Sequence, residues 1–185
     1  MYSAKKSYSD DELLNLFRDE DTRDSAFELI LNKYQEKLYW HIRKMVIVHD
    51  DADDVLQNTW MKVWKGLIKF RSNSALYTWL YRIATNECIT FLNKKRSICT
   101  QAGENMDKML SNQLESEPGY NGDEIQTKLQ NAIISLPEKQ RLVFNMRYYD
   151  EMKYEEMSKV LDTSVGALKA SYHHAVKKIE KYITS

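Results

Sequence analysis

The chain has 185 residues, 43% of them hydrophobic, with only five glycines and two prolines, and its 27 Lys plus Arg balance 27 Asp plus Glu. That length allows one ordinary domain or two small ones, scarce glycine and proline point to a mostly helical protein, and the zero net charge gives no bulk argument for nucleic acid. No apolar run approaches the roughly 20 residues of a membrane helix, and the lysine-rich polar start lacks the apolar core of a signal peptide, so a cytoplasmic protein without membrane insertion is expected.

Charge distribution says more than the total. Between residues 100 and 126 the acids Glu104, Asp107, Glu115, Glu117, Asp123 and Glu124 face one base, Lys108, whereas Lys169, Lys177, Lys178 and Lys181 face only Glu180. A balanced total can thus hide a local basic surface. Cys88 and Cys99 share no CxxC or Cys/His spacing, so incidental thiols in a reducing compartment are expected, with no metal and no cofactor.

Ser9 and Glu12 form a capping-box pattern, with Leu13, Leu16 and Phe17 behind it. Over residues 24–48, Ala26, Phe27, Ile30, Leu31, Tyr34, Leu38, Ile42, Met45 and Val46 recur at three and four residues, predicting a long helix with a wide core stripe. Asp50 or Asp51 is placed to cap the third helix, whose apolar stripe is Val55, Leu56, Trp60, Val63, Trp64 and Leu67. Asp54, Gln57, Asn58 and Met61 share a flank of it. That flank reads either as solvated polar surface or as a docking face for a partner helix.

The pattern lapses over Arg71, Ser72, Asn73 and Ser74, and Ser74 is placed to cap the next helix. Leu76, Leu80, Ile83, Ala84, Glu87 or Cys88, and Phe91 form its expected buried stripe, leaving Trp79, Arg82 and Asn86 on one row and Tyr77 with Tyr81 on another. Flat rings and fixed cations are what an unpaired nucleic-acid strand needs, each stacked base contributing about 1–3 kcal/mol; aromatic rings at helical spacing also serve as plain core. Residues 99–123 are acidic, hold Gly103, Pro118, Gly119 and Gly122, and read as a flexible linker.

A second helical block follows. Ile125, Leu129, Ile133 and Leu136 mark one helix; Pro137 opens another carrying Leu142, Val143 and Met146. Residues 154–161, a turn at Asp162 and Thr163, and a longer helix capped by Ser164 make a helix-turn-helix. Val165, Leu168, Tyr172, Ala175, Ile179 and Tyr182 of the longer helix are expected inside, and Gly166, Lys169, Ala170, Ser171, His173, His174 and Lys177 outside, toward a DNA groove. The expected fold is therefore all-α: a helical domain over residues 1–98, a flexible acidic linker over 99–123, and a helix-turn-helix domain over 124–185.

Two stretches carry a family resemblance. DADDVLQNTWMKVWKGLIKFRSNSALYTWLYRIATNECITFLNKKR, residues 51–96, resembles the second region of the extracytoplasmic function group of bacterial RNA polymerase sigma factors. LPEKQRLVFNMRYYDEMKYEEMSKVLDTSVGALKASYHHAVKKIEKY, residues 136–182, resembles their fourth region.

The resemblance implies docking on the clamp coiled coil of the largest polymerase subunit through Asp51, Asp54, Gln57, Asn58, Met61 and Trp64, with the β flap as a further contact. It implies capture of the non-template −10 strand by Arg71, Ser72, Asn73, Ser74, Ala75, Leu76, Tyr77, Trp79, Tyr81, Arg82 and Asn86. It also implies reading of the −35 duplex by Ser164, Gly166, Lys169, Ala170, Ser171, His173, His174 and Lys177.

Family members commonly have an acid where Asn58 stands, phenylalanine at Leu76, a more basic residue at Tyr77, and arginine at Ser171, His174 and Val176, so target sequences do not transfer. The family also brings in an anti-sigma partner that masks these surfaces. The competing reading is a free-standing helix-turn-helix regulator whose N-terminal helices dimerise or bind an effector. An enzyme lacks its parts: no glycine-rich phosphate loop, no metal-ligand cluster, and no nucleophile with a placed base.

Overall fold

The computed structural model describes residues 8–71, 74–116 and 124–184, with backbone alone at 115 and 116. Among the described residues there are nine helices and no strand. They are α1 (Asp10–Arg18), α2 (Arg23–Val46), α3 (His49–Leu67), α4 (Leu76–Gln101), α5 (Met106–Ser116), α6 (Glu124–Ile134), α7 (Glu138–Tyr148), α8 (Tyr154–Leu161) and α9 (Val165–Thr184).

The N-terminal unit, α1 to α4, follows from its stripes. Ser9 and Glu12 form the expected capping box: the Ser9 backbone N–H donates to the Glu12 carboxylate at 2.8 Å, and the Glu12 N–H donates to the Ser9 hydroxyl at 3.3 Å. Phe17 on α1 meets Trp64 on α3 edge-to-face at 5.4 Å between ring centres. Along α2, Ala26, Ile30, Tyr34, Leu38, Ile42, Met45 and Val46 are buried, as their spacing predicts. A tight corner at buried Ile47 (φ 73°, ψ −47°), closed by the Val48 N–H on the Val46 carbonyl at 3.0 Å, turns the chain into α3. It has the geometry of the rare γ-turn, strained for a β-branched residue.

Two caps differ from expectation. Helix α3 is capped at Val48, so Asp50 and Asp51 sit in its first turn and act on the helix dipole instead. Helix α4 is capped at Ala75 with no side-chain acceptor, and Ser74 does not serve.

The larger difference is the segment read as a linker. Residues 106–116 form α5, and Met106, Leu110 and Leu114 are buried against the rest of the core. The linker positions Glu117, Pro118, Gly119, Gly122 and Asp123 lie outside the described residues.

In the C-terminal unit, Ala132, Ile133, Leu136, Phe144, Ala175 and Ile179 make a small core between α6, α7 and α9. The helix-turn-helix is formed as predicted. Asp162 takes the left-handed conformation (φ 49°, ψ 47°) that a short polar side chain tolerates. The Ala167 N–H then donates to the Ser164 hydroxyl at 3.3 Å, capping α9. Ile125 (73% exposed) and Tyr182 (40%) stand at outer helix ends and do not reach this core.

The two units are not separate bodies on a bare tether. Helix α7 lies on α2 and α8 lies on α4. Val143, Met146, Met152, Met157 and Val160 belong to one continuous apolar cluster with Leu38, Ile42, Leu80 and Ala84. The C-terminal unit thus divides its apolar residues between its own small core and the N-terminal helices.

Candidate nucleic-acid and polymerase interface

On α3, burial of Val55, Thr59, Trp60, Val63 and Leu67 turns the opposite flank outward. Asp54, Gln57, Asn58 and Met61 are all exposed, Met61 at 51%. The other two residues of the predicted docking set are partly engaged inside the fold. Trp64 is half-buried edge-on to Phe27 at 4.8 Å, and Asp51 is half-buried in an ion pair with Lys95 of α4 at 2.5 Å. A second pair, Lys62 with Glu87, also fastens α3 to α4. The outcome is a rigid helix presenting a carboxylate, two amides and a thioether in one row.

Where α3 ends and α4 begins, a cleft of about 690 Å³ opens. Phe70 and Trp79 supply its aromatic wall, with ring centres 4.9 Å apart. Lys69, Arg71, Arg82 and Lys159 supply its charge, no acid lines it, and none of these four bases forms an ion pair among the described residues. Trp79 is half-buried, and its indole lies so close over Gly66 that a β-carbon there would come within 2.8 Å of the ring.

Of the other predicted strand-binding residues, Ser74 is half-buried while Ala75 and Asn86 are exposed; Ser72 and Asn73 lie outside the described residues. Leu76 is buried, an anchor for the helix start rather than a surface group. The Tyr77 and Tyr81 rings meet tilted, with centres 4.3 Å apart, but Tyr77 is half-buried and Tyr81 only 2% exposed. They sit not in the cleft but at the seam between the two units. Gly66, Lys69, Phe70 and Lys159 were absent from the predicted set; an isolated glycine inside a helical pattern was the available signal for the first.

The seam has its own chemistry. Asp150, in the turn after α7, has a side chain only 4% exposed and meets two donors from α2: His41 Nδ1 at 2.8 Å and Lys44 Nζ at 2.8 Å. A carboxylate only accepts, so Nδ1 carries the proton, and His41 Nε2 faces the Thr85 hydroxyl of α4 at 3.0 Å. Burial raises the Asp150 pKa, but the hydrogen bonds and charges of His41 and Lys44 outweigh it, and the carboxyl stays below its usual range. The Tyr81 ring covers His41 at 4.8 Å, and Asn145 donates to the Lys44 carbonyl at 3.2 Å.

On the recognition helix, Ser164, Gly166, Lys169, Ala170, His173, His174 and Lys177 are exposed, and Ser171 is half-buried. A β-carbon at Gly166 would meet nothing within 4 Å, so the space there is open to an incoming group. Lys169 Nζ lies 5.8 Å from the centre of the Tyr154 ring, which holds the ammonium at the start of the helix.

The family model for sigma-70 region 2 matches residues 30–98, and that for sigma-70 region 4 matches residues 126–179. The chain is 30% identical over 164 residues to the RNA polymerase sigma-H factor of Pseudomonas aeruginosa, covering 84% of this chain and 85% of that one. It is also 30% identical over 169 residues to the ECF RNA polymerase sigma-E factor of Escherichia coli K12, covering 85% and 86%. Among solved structures, the sigma factor RpoE of Bartonella quintana, crystallised with the anti-sigma factor NepR, shares the fold. Its TM-score is 0.69 at 22% identity, over 85% of this chain and 96% of that one. With both regions present in order and relatives matched along most of its length, the chain belongs to the sigma-70 family of RNA polymerase sigma factors, in the extracytoplasmic function group.

Proposed function

We propose that this sigma factor docks on core RNA polymerase through the exposed α3 row, captures an unpaired −10 strand in the cleft between α3 and α4, and seats α9 on the −35 duplex. The observation that carries this reading is the cleft itself, with aromatic rings flanked by four bases and no acid. A stacked base gains about 1–3 kcal/mol there, enough to offset the few kcal/mol that unstacking a base costs. Binding energy that exists only for the opened strand favours the opened state. Duplex contact by Lys169 and its neighbours sets position, and strand capture selects the melted promoter.

The chain has no reaction of its own in this scheme; the polymerase supplies the chemistry, and the work takes place in the cytoplasm where the polymerase is. Because the structural relative was solved with an anti-sigma factor, a protein inhibitor is the partner that fits as regulator. Among the described residues no helix is long and apolar enough to cross a membrane. The free-standing regulator is not favoured, since it leaves the α3 row and the cleft without a purpose.

The test is transcription in vitro with purified core polymerase on a genomic promoter library. Initiation at a defined set of promoters that depends on this chain is the expected result. Tight duplex binding without core, and no initiation with it, would support the free-standing regulator.

A further inference from the structure

Trp40, Tyr148 and Tyr182 are the exposed aromatic rings among the described residues, and the first two share a cleft. Trp40 on α2 is 52% exposed, Tyr148 on α7 is 54% exposed, and the cleft of about 590 Å³ that they line is walled by α2, α6 and α7. Each ring is braced by a neighbour: Trp40 meets Tyr39 edge-on at 5.3 Å, and Tyr148 stacks on Phe144 at 5.2 Å. About half of each aromatic surface is left uncovered. Two such rings in a cleft of ligand size mark a binding site rather than scattered surface.

The other walls select the occupant. Among the described residues no acid lines the cleft, while Arg43, Lys44 and His49 do. Lys44 is already held by the Asp150 carboxylate at 2.8 Å and lies over the Tyr149 ring at 5.0 Å, so the fixed charge offered to an anion is the Arg43 guanidinium. A planar guanidinium fork suits a single phosphate group. Gln126 and Gln130 bring side-chain amides from α6, groups able to hydrogen-bond the edge of a heteroaromatic base.

We propose that this cleft binds a mononucleotide, its base against Trp40 and Tyr148 and its phosphate toward Arg43. The walls are fixed before any ligand arrives. Val143 and Met146 of α7 share a continuous apolar cluster with Leu38 and Ile42 of α2, and Gln130 donates to the Tyr149 hydroxyl at 3.0 Å. Preorganisation of this kind lowers the ordering cost of binding. The site lies outside promoter recognition and uses none of the residues assigned to polymerase, strand or duplex.

The experiment titrates AMP into the nitrogen-labelled full chain and follows the indole N–H signals by NMR, assigned with Trp40→Phe and Trp79→Phe. The Trp40 signal is expected to move and saturate while the Trp79 signal stays. Arg43→Gln, with helical content checked by circular dichroism, is expected to weaken AMP about tenfold, as loss of a charge-assisted contact does, and to leave adenosine binding unchanged. Trp40→Ala is expected to weaken both ligands about tenfold, from loss of stacking. A folding defect would not split AMP from adenosine in this way.

A Trp40 signal that stays still with AMP in the millimolar range would overturn the proposal, as would unchanged AMP affinity in Arg43→Gln. So would movement of Trp79 in place of Trp40, which assigns the nucleotide to the cleft between α3 and α4. A short mixed-sequence single strand that moves the Trp40 signal at lower concentration than AMP names nucleic acid as the source of the nucleotide, and the reverse order names the free form; either upholds the site. Failure of the strand-capture reading is separate: Trp79 would ignore the strand while Trp40 still answers AMP.

Discussion

Gly66 and Trp79 show how one small residue shapes the wall of the cleft between α3 and α4. Replacing a helical glycine by alanine ordinarily gains about 1 kcal/mol of helix propensity, yet a β-carbon at Gly66 would stand 2.8 Å from the Trp79 ring, which is packed on Phe70. Overpacking of this kind costs about 1–3 kcal/mol. Gly66→Ala is therefore expected to lower thermal stability by up to about 2 kcal/mol instead of raising it, and to shift Trp79 fluorescence as the ring moves; a stabilised protein with unchanged emission would count against the packing. Asp150 makes a pH prediction. Its pKa is held below the ordinary 3.8 in the folded chain, so its contribution is complete above that value and is lost as pH falls through the lower, folded one. The stability gap between wild type and Asp150→Asn, measured by thermal unfolding, should shrink below about pH 4; a gap that widens there would reverse the sign. Neither role was legible in the sequence. Gly66 gives no hint of what it faces, and Asp150 reads only as a turn residue, because its partners lie more than a hundred positions earlier.

At the scale of elements, periodicity predicted what local packing decides. In α3, burial of Val55, Trp60, Val63 and Leu67 fixes which flank is exposed, and Asp54, Gln57, Asn58 and Met61 emerge where the spacing put them. Asp54→Ala or Gln57→Ala is expected to weaken binding to core polymerase by about 1 kcal/mol or more while leaving duplex DNA affinity unchanged, as measured by competition for core; loss of both affinities would argue for a folding defect. On α9, Lys169→Ala is expected to cost about 1–3 kcal/mol at one promoter position if it reads a base edge, and a uniform loss across promoters would mark it as a phosphate contact. Helix α5 escaped because its apolar positions Met106, Met109, Leu110 and Leu114 are few and set among acids. A helix this short draws its stability from tertiary packing rather than from propensity. The missing side-chain cap on α4 has a similar lesson: Ser74 has the right chemistry, but the chain enters the helix one residue later.

For the whole molecule, the sequence foretold two helical units and a helix-turn-helix but not that the units share a core. Local spacing shows that Met157 and Val160 of α8 are apolar; it cannot show that part of what they cover is α4 of the other unit. Tyr81, expected on an outer row of α4, is instead buried, its ring over His41 of α2 at 4.8 Å and its hydroxyl facing the Lys37 carbonyl at 3.5 Å. In the proposed function Trp79 meets the strand in the cleft and α9 meets the duplex. The most direct measurement is permanganate reactivity of −10 thymines, read alongside protection of the −35 element, with core polymerase on a promoter this sigma factor recognises. Trp79→Ala is expected to lose reactivity at −10 by about tenfold, in line with about 1–3 kcal/mol of stacking, while −35 protection persists. Equal loss at both elements would contradict capture of the strand by α4.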